Sequence, residues 1–368
     1  MTTDHRFKPS HNRIAYFISP HGYGHAARSS GIMAALTALE PSLRFEIFTL
    51  APEWFFQASQ VGDFGYHPVL TDIGLAQETA LQEDLPETIR RLADFLPFRP
   101  EQLKSLAGQV KDLGCQLVVC DIAPLGIAVA REAGLPAVLV ENFTWDWIYE
   151  GYAQYNGHLS QYAAYLQEIF QAADYHLQTA PVCDPRPAHL TVPPVGRKVR
   201  TPAVQIRRQL GLPEGAKVVM ITMGGIPWAY ADLVELESQG DIYFVIPGAA
   251  PQLERRGSLI ALPHHSEFFH PDLINASDAV IGKAGYSTLA EVYQAGVPFG
   301  YVPRARFRES PALIDYIQKE MSGLPISEAQ FADHSWLSSL PDLLALPRLQ
   351  RDGVDGAEQA ARFIYELF

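Results

Sequence analysis

Residues 278–303 read DAVIGKAGYSTLAEVYQAGVPFGYVP, and this stretch decides the fold. AVIG is an apolar run with no polar alternation, KAG is a glycine-containing turn, YSTLAEVYQA has helical spacing closed by a glycine, and PFGYV is a second apolar run. A strand, a helix and a strand in that order, with both faces of each strand apolar, make a parallel βαβ unit covered by helices on both sides.

Outward from this unit the same rhythm repeats. KVVMITM (217–223), DIYFVIP (241–247) and SLIAL (258–262) precede it, separated by helix-length segments. Further upstream stand RIAYFIS (13–19), a helical segment near residues 24–39, RFEIFTL (44–50), CQLVVCD (115–121) and PAVLV (136–140). Between the two groups lies PVCDPRPAHLTVPPVGRKVRTP (181–202), which carries six prolines and little periodicity. Such a stretch suits a connector. The expected organisation is an α/β domain over 1–180, a linker over 181–202, a second α/β domain over 203–350, and an amphipathic C-terminal helix within 351–368 that packs back at the domain junction. Each domain is expected to be a Rossmann-like, doubly wound parallel sheet.

The chain has 368 residues, 48% hydrophobic and 19% charged, enough for two domains with full cores. Its net charge of -13 argues against nucleic acid as a partner, because phosphate-backbone binding needs clustered Lys and Arg. A small anionic ligand remains compatible, since helix N-termini and a few cations can hold a diphosphate inside an acidic protein. Cys115, Cys120 and Cys183 have no metal-site spacing, and their odd number closes no disulfide framework. The N-terminal MTTDHRFKPSHNR is polar, with no signal-peptide apolar region or membrane span. A soluble, cytoplasmic protein without stable membrane association is expected, and the basic run RKVR (197–200) reads as solvated linker rather than a membrane anchor. The oligomeric state leaves no mark in the sequence.

Two loops at strand ends in the second half carry anion-binding chemistry. In 278–303 the turn presents backbone N–H groups at the positive end of a helix beside Gly285, with Lys283 as a cation and Ser287 and Thr288 as hydroxyls. That set suits a diphosphate. Glu291, one turn on, either accepts hydrogen bonds from vicinal ribose hydroxyls or is a solvated or capping carboxylate. In TMGGIPW (222–228), Gly224 and Gly225 allow backbone to approach phosphate oxygens closely.

The first half offers a base. SPHGYGHAARS (19–29) follows the first strand, and Gly22 and Gly24 permit a tight turn before a helix. The loop lacks the G-x-G-x-x-G spacing, which disfavours a dinucleotide site. His21 and His25 sit on it, either as proton acceptors or in capping and packing roles. Asp121, at the end of CQLVVCD, either orients His25 as a general base or caps the helix that begins near Pro124. The segment ENFTWDW (141–147) borders the expected cleft: Asn142 and Asp146 can meet acceptor hydroxyls, and Trp145 either stacks on the acceptor or packs in the core.

KAGYSTLAE (283–291) resembles the donor-site signature of UDP-glycosyltransferases. HGYGHAAR (21–28), ENFTWDWIYEGY (141–152), TMGG (222–225), HPDLINASDAVIGKAGYSTLAE (270–291) and PFGYVPRARFRESP (298–311) are similar to the glycosyltransferase-like N-terminal region of plant L-arabinokinases. The likeness runs from the first strand to about Tyr316. It implies a GT-B fold, with an acceptor-side domain first, a nucleotide-sugar donor domain second, and reaction in the cleft between them. Carried over, it implies that Lys283 and Thr288 contact phosphates, Glu291 the ribose, Glu309 the donor sugar, and backbone near Phe268 the base, with His25 as catalytic base and Asp121 as its partner. Where many relatives have an acid–Gln pair, this chain has Glu309–Ser310, so one amide contact is missing and the donor sugar stays open. Lys283 replaces the phosphate-contacting histidine of the plant proteins, keeping charge but not geometry.

The expected function is therefore transfer of a sugar from a nucleotide-sugar, UDP-sugar favoured, to a small-molecule acceptor hydroxyl, with inversion. No D-x-D motif is present, so no metal and no further cofactor are expected. The rival readings are a non-catalytic nucleotide-sugar sensor and a GT-B-folded UDP-sugar epimerase.

Overall fold

The computed structural model describes residues 12–79, 81–155, 157–224, 233–353 and 355–368. Strands β1 (Arg13–Ile18), β2 (Arg44–Thr49), β3 (Asp63–Pro68), β4 (Leu117–Asp121), β5 (Ala137–Glu141), β6 (Tyr175–Thr179) and β7 (Leu190–Val192) form one sheet in the order β3-β2-β1-β4-β5-β6-β7. All of its pairings are parallel. Strands β8 (Lys217–Thr222), β9 (Ile242–Pro247), β10 (Glu254–Arg256), β11 (Leu259–Leu262), β12 (Ala279–Lys283), β13 (Phe299–Val302) and β14 (Gly323–Pro325) form a second sheet, ordered β10-β11-β9-β8-β12-β13-β14. Only β10, at its edge, runs antiparallel.

The unbroken apolar strands are explained by burial on both sides. On the first sheet Phe17, Cys120 and Leu139 face one helical layer, while Tyr16, Val119 and Val140 face the other. On the second, Met220, Val245 and Val280 face one layer and Val219, Ile246 and Ile281 the other. Both sheets reverse strand order at one place, between β1 and β4 and between β8 and β12. Crevices at such switch points are where open α/β sheets bind ligands.

The boundary differs from the sequence expectation at one point. Strand β7 lies inside the proline-rich stretch 181–202 and pairs with β6, so the first sheet continues to Val192. Three residues between prolines show no periodicity to read, which is why the strand passes for linker. The C-terminal helix Gly356–Tyr365 lies on the first domain, where Ala357, Ala360, Ala361 and Ile364 join a core containing Val192 and Val195. Its side chain-free first residue is required, because a Cβ on Gly356 would meet the Pro193 carbonyl oxygen at 2.1 Å.

Candidate active site

At the first switch point, Ile18 of β1 pairs with Asp121 of β4, and the Gly24–Leu39 helix starts just beyond. This brings His25 to the end of β4, where its Nδ1 lies 3.0 Å from Asp121 Oδ1. A carboxylate oxygen only accepts, so Nδ1 carries the proton and Nε2 keeps its lone pair. Asp121 has further donors: Arg28 through Nε to Oδ2 at 2.8 Å and Nη2 to Oδ1 at 2.6 Å, and Ser29 Oγ to Oδ2 at 3.0 Å. The capping alternative is not what the carboxylate does. The next helix has Ala123 as its N-cap, with no side-chain cap bond. Ile122, immediately after Asp121, has φ +41°, a left-handed backbone that a β-branched residue rarely adopts.

Arg28 is the residue that sequence reasoning missed here. It is 1% exposed, and its Nη1 donates to Asn142 Oδ1 at 2.7 Å. Asn142 Nδ2 in turn donates to Glu309 Oε1 of the second domain at 2.8 Å. A hydrogen-bonded chain thus runs across the cleft from Glu309 through Asn142, Arg28 and Asp121 to His25. The available signal was the spacing: Arg28 stands three residues after His25, on the same helix face.

Electrostatics fix the protonation states. Burial alone would raise the Asp121 pKa, but the Arg28 charge and hydrogen bonds, with those of His25, hold it below the usual range. Burial lowers the His25 pKa, and Asp121 only partly restores it, so the imidazole is neutral at pH 7. His21 is pushed well below its usual value by burial, then by His25, Arg304 and Lys283.

The second switch point is built in the same place on the other sheet. Gly282 of β12 lies against Thr222 of β8 so closely that a Cβ would meet the Thr222 carbonyl oxygen at 2.0 Å. Next on the chain, Lys283 reaches to Gly224, whose φ is +76° and whose Cβ, if present, would sit 3.9 Å from Lys283 Nζ. The Tyr286–Ala295 helix begins here with Gly285 as N-cap, no side-chain cap bond and no acidic residue in its first turn. Lys283 makes no hydrogen bond or ion pair among the described residues. Burial first, then Arg304, lower its pKa to about 7 against the opposing pull of Glu309 and Glu83. Gly225 lies outside the described residues.

The two switch points face each other. Gly24 and Ser287, each in the first turn of its helix, approach so that a Cβ on Gly24 would lie 3.8 Å from Ser287 Oγ. The narrow space between, about 80 Å³, is lined by Gly22, His25, Lys283, Gly285, Thr288 and Glu309 among others. It opens on one side into a cavity of about 410 Å³ that shares Gly224, Ser287 and Thr288 and adds Phe268 and Glu291. On the other side a cavity of about 540 Å³ shares His21 and Gly22.

Glu291 is more constrained than expected. Its Oε1 accepts from Arg197 Nε at 2.8 Å and its Oε2 from His270 Nδ1 at 2.8 Å. Burial opposes its charge, but Arg197 and His270 outweigh it and hold the pKa at about 2. Arg197 also corrects the reading of RKVR as solvated: it is 9% exposed and packs on the Phe55 and Phe269 rings. Nothing in the run's local sequence announces partners that lie far along the chain. Glu309 is buried at the N-cap of the Ser310–Glu320 helix, and its pKa is raised by burial against Asn142 and Arg304.

Trp145 and Asp146 require a correction. Both are fully buried in the first domain, and neither lines the cleft. Trp145 packs edge-on to His21 with ring centroids 5.2 Å apart, and Asp146 lies 3.7 Å from Arg186. An aromatic residue flanked by Phe143 and Tyr149 is drawn to the core rather than to the surface. The wall facing the 540 Å³ cavity comes instead from residues 70–77 and the Leu85–Phe95 helix. Among the described residues no group of three or more His, Cys, Asp or Glu side chains is arranged to hold a metal ion, and no helix is long and apolar enough to cross a membrane.

No family model matches the chain. It is 28% identical over 362 residues to the L-arabinokinase of Arabidopsis thaliana, covering 97% of this chain and 34% of that one. The chain thus spans about a third of the plant protein's length. Over 274 residues it is 23% identical to an uncharacterised glycosyltransferase of Methanopyrus kandleri, covering 68% of this chain and 75% of the other. Among solved structures, a UDP-glucosyltransferase from Polygonum tinctorium that glucosylates indoxyl superimposes with a TM-score of 0.59 at 13% identity, over 97% of this chain and 98% of that one. Two parallel sheets whose switch points face across a cleft, together with this superposition, establish that the chain has the GT-B fold of glycosyltransferases.

Proposed function

We propose that this protein is a glycosyltransferase that moves a sugar from a nucleotide-sugar, with UDP-sugar favoured, to the hydroxyl of a small-molecule acceptor. The observation that carries the proposal is Lys283: a partly buried amine with no hydrogen bond or ion pair among the described residues, beside Gly224 and an uncapped helix N-terminus, opposite a neutral histidine. A diphosphate supplies the missing charge, and backbone N–H groups at the helix end supply its hydrogen bonds. The adjoining 410 Å³ cavity, with Phe268 and Glu291 on its wall, then receives the nucleoside.

In this reading His25 Nε2 takes the proton of the acceptor hydroxyl while its oxygen attacks the anomeric carbon. The bond from that carbon to the diphosphate oxygen breaks, and the electron pair leaves with the nucleotide. A single displacement inverts the anomeric configuration. The imidazolium that forms is stabilised by Asp121, and the charge gathering on the leaving group by Lys283 and the helix-end amides. Such base catalysis contributes roughly 10²- to 10⁴-fold. The groups named supply this without a metal ion, so turnover is expected to survive chelation; strict Mn²⁺ dependence would contradict the scheme.

The test is calorimetric titration with UDP, GDP, ADP and dTDP. One nucleotide is expected to bind selectively, with affinity lost in Lys283→Ala and weakened in Glu291→Ala. Failure of every nucleotide to bind sinks the reading. Nucleotide binding with no turnover in any acceptor screen favours the sensor instead.

A further inference from the structure

The 540 Å³ cavity has no assigned occupant, and among the described residues three buried polar atoms of its lining side chains, two on Gln77 and one on Asp72, have no hydrogen-bond partner. Gln77 lines both this cavity and the narrow space containing His25 and Lys283. Its Oε1 and Nε2 are both buried and neither has a hydrogen-bond partner. This is not a loose surface side chain. Gln77 forms an antiparallel bridge with Glu83, and the neighbouring Ala76 accepts from Asp84 N at 2.8 Å and donates to Thr88 Oγ1 at 2.9 Å. The same segment is anchored on the second domain, where Leu81 joins the core and Glu83 pairs with buried Arg304 at 3.1 Å.

Asp72 is the second such group. It is 2% exposed, its Oδ1 accepts from Ser19 Oγ at 3.0 Å, and its Oδ2 has no hydrogen bond at normal distance. Burial raises its pKa to about 8, against the Ser19 hydroxyl and the nearby Trp145 indole, so the group is a neutral carboxyl at pH 7 that can donate as well as accept. The cavity lining also includes the apolar side chains of Ile73, Leu75 and Phe95.

A buried amide without partners loses its hydrogen bonds to water and gains none in return, and native structures rarely carry one without a reason. An amide presents a carbonyl acceptor beside an N–H donor. Adjacent hydroxyls on a carbon skeleton offer the complementary pair, and the C–H face of the same skeleton suits an apolar wall. A flat apolar acceptor would leave Gln77 dry and unpaired. A strongly anionic one would meet the carboxylate of Asp94 on this wall, where the charge of Arg91 is already shared with Glu87 at 2.8 Å.

We infer that the acceptor is a neutral, sugar-like polyol, bound in this cavity with a vicinal diol on the Gln77 amide and a further hydroxyl toward Asp72. The inference rests on the transfer reaction proposed above for its direction of attack, but the cavity's chemistry can be tested alone.

The experiment is saturation-transfer NMR and calorimetry on the full chain with neutral hexoses, pentoses and inositol, against planar phenols of similar size, each with and without UDP. Polyols are expected to bind and to compete with one another. Gln77→Leu is expected to weaken them by roughly ten- to a hundredfold, the loss of one or two buried hydrogen bonds. The same variant is expected to raise or leave unchanged the melting temperature of the ligand-free protein, whereas a purely structural Gln77 would lower it. Gln77→Glu, which keeps shape and removes the donor, should fall between wild type and Gln77→Leu. Preference for phenols, binding of neither class, or polyol binding indifferent to Gln77→Leu overturns the inference. Polyol binding without binding of UDP, GDP, ADP or dTDP would uphold the cavity's chemistry while removing the transferase reading.

Discussion

The two switch points have the same topology and opposite electrostatics. Beyond β1 and β4, Asp121 is a buried anion with His25, Arg28 and Ser29 all donating to it. Beyond β8 and β12, burial and then Arg304 lower the pKa of Lys283 to about 7, so its amine is only partly charged at neutral pH. The first half of the site is complete within the chain, and in the proposed function the second half is completed by a ligand. The corresponding substitution in each half should therefore change the stability of the empty protein in opposite directions.

The largest effect is expected from Arg28→Met. It leaves Asp121 and Asn142 buried without their main partner, and breaking a buried ion pair this way costs about 3–5 kcal/mol. Lys283→Met removes a buried amine that makes no hydrogen bond or ion pair among the described residues. Chemical denaturation without nucleotide should show the first variant strongly destabilised and the second no less stable than wild type. Equal losses in both would end the comparison.

Next in size is His25→Ala. Turnover should fall by roughly 10²- to 10⁴-fold with nucleotide affinity unchanged, measured as nucleotide release under single-turnover conditions. In the wild type the acidic limb should lie below pH 6.5, because burial lowers the His25 pKa and activity fades only as the imidazole gains its proton. A limb above that value would assign the base elsewhere.

The Lys283 titration sharpens the contrast further. Its pKa is about 7 in the free protein and rises when a diphosphate binds, so binding at pH 8 takes up close to one proton and binding at pH 6 takes up almost none. Affinity should weaken as pH rises above 7. Calorimetry in buffers of different ionisation enthalpy measures the uptake directly, and Lys283→Met should abolish it. In the ligand-free protein the unfolded chain binds more protons at this lysine between about pH 7 and 10.5, so its contribution to stability rises with pH over that window.

The same contrast explains what was legible in the sequence. The βαβ rhythm, the glycine turns, and Lys283 with Ser287 and Thr288 lie in one continuous stretch, so local pattern sufficed. The first half depends on contacts between distant residues. Asp121 supports a cap and a base partner equally well until the fold brings Arg28 beside it. Trp145 carries no sign of which way it faces, and Gln77 sits in a segment with no motif at all. Arg197 reads as solvated in the sequence because its partner Glu291 lies 94 positions away. Strand β7 was hidden by shortness and flanking prolines.

The smallest predicted effect tests whether the division between halves holds at its edge. Trp54 belongs to the first domain, yet it lines the 410 Å³ cavity and stacks on His265 of the second, with ring centroids 4.4 Å apart and 23° between planes. If the nucleoside is held by the second domain alone, Trp54→Ala leaves nucleotide affinity untouched. If instead the aromatic pair closes the cavity over the bound nucleoside, losing it weakens binding by about 0.5–1.5 kcal/mol, the usual worth of such a pair. The second outcome is expected, because Tyr23 reinforces the same wall by donating toward or accepting from His264 Nε2 at 3.1 Å. The first domain then contributes more than the base: it helps to retain the donor, and nucleotide binding draws the two halves together.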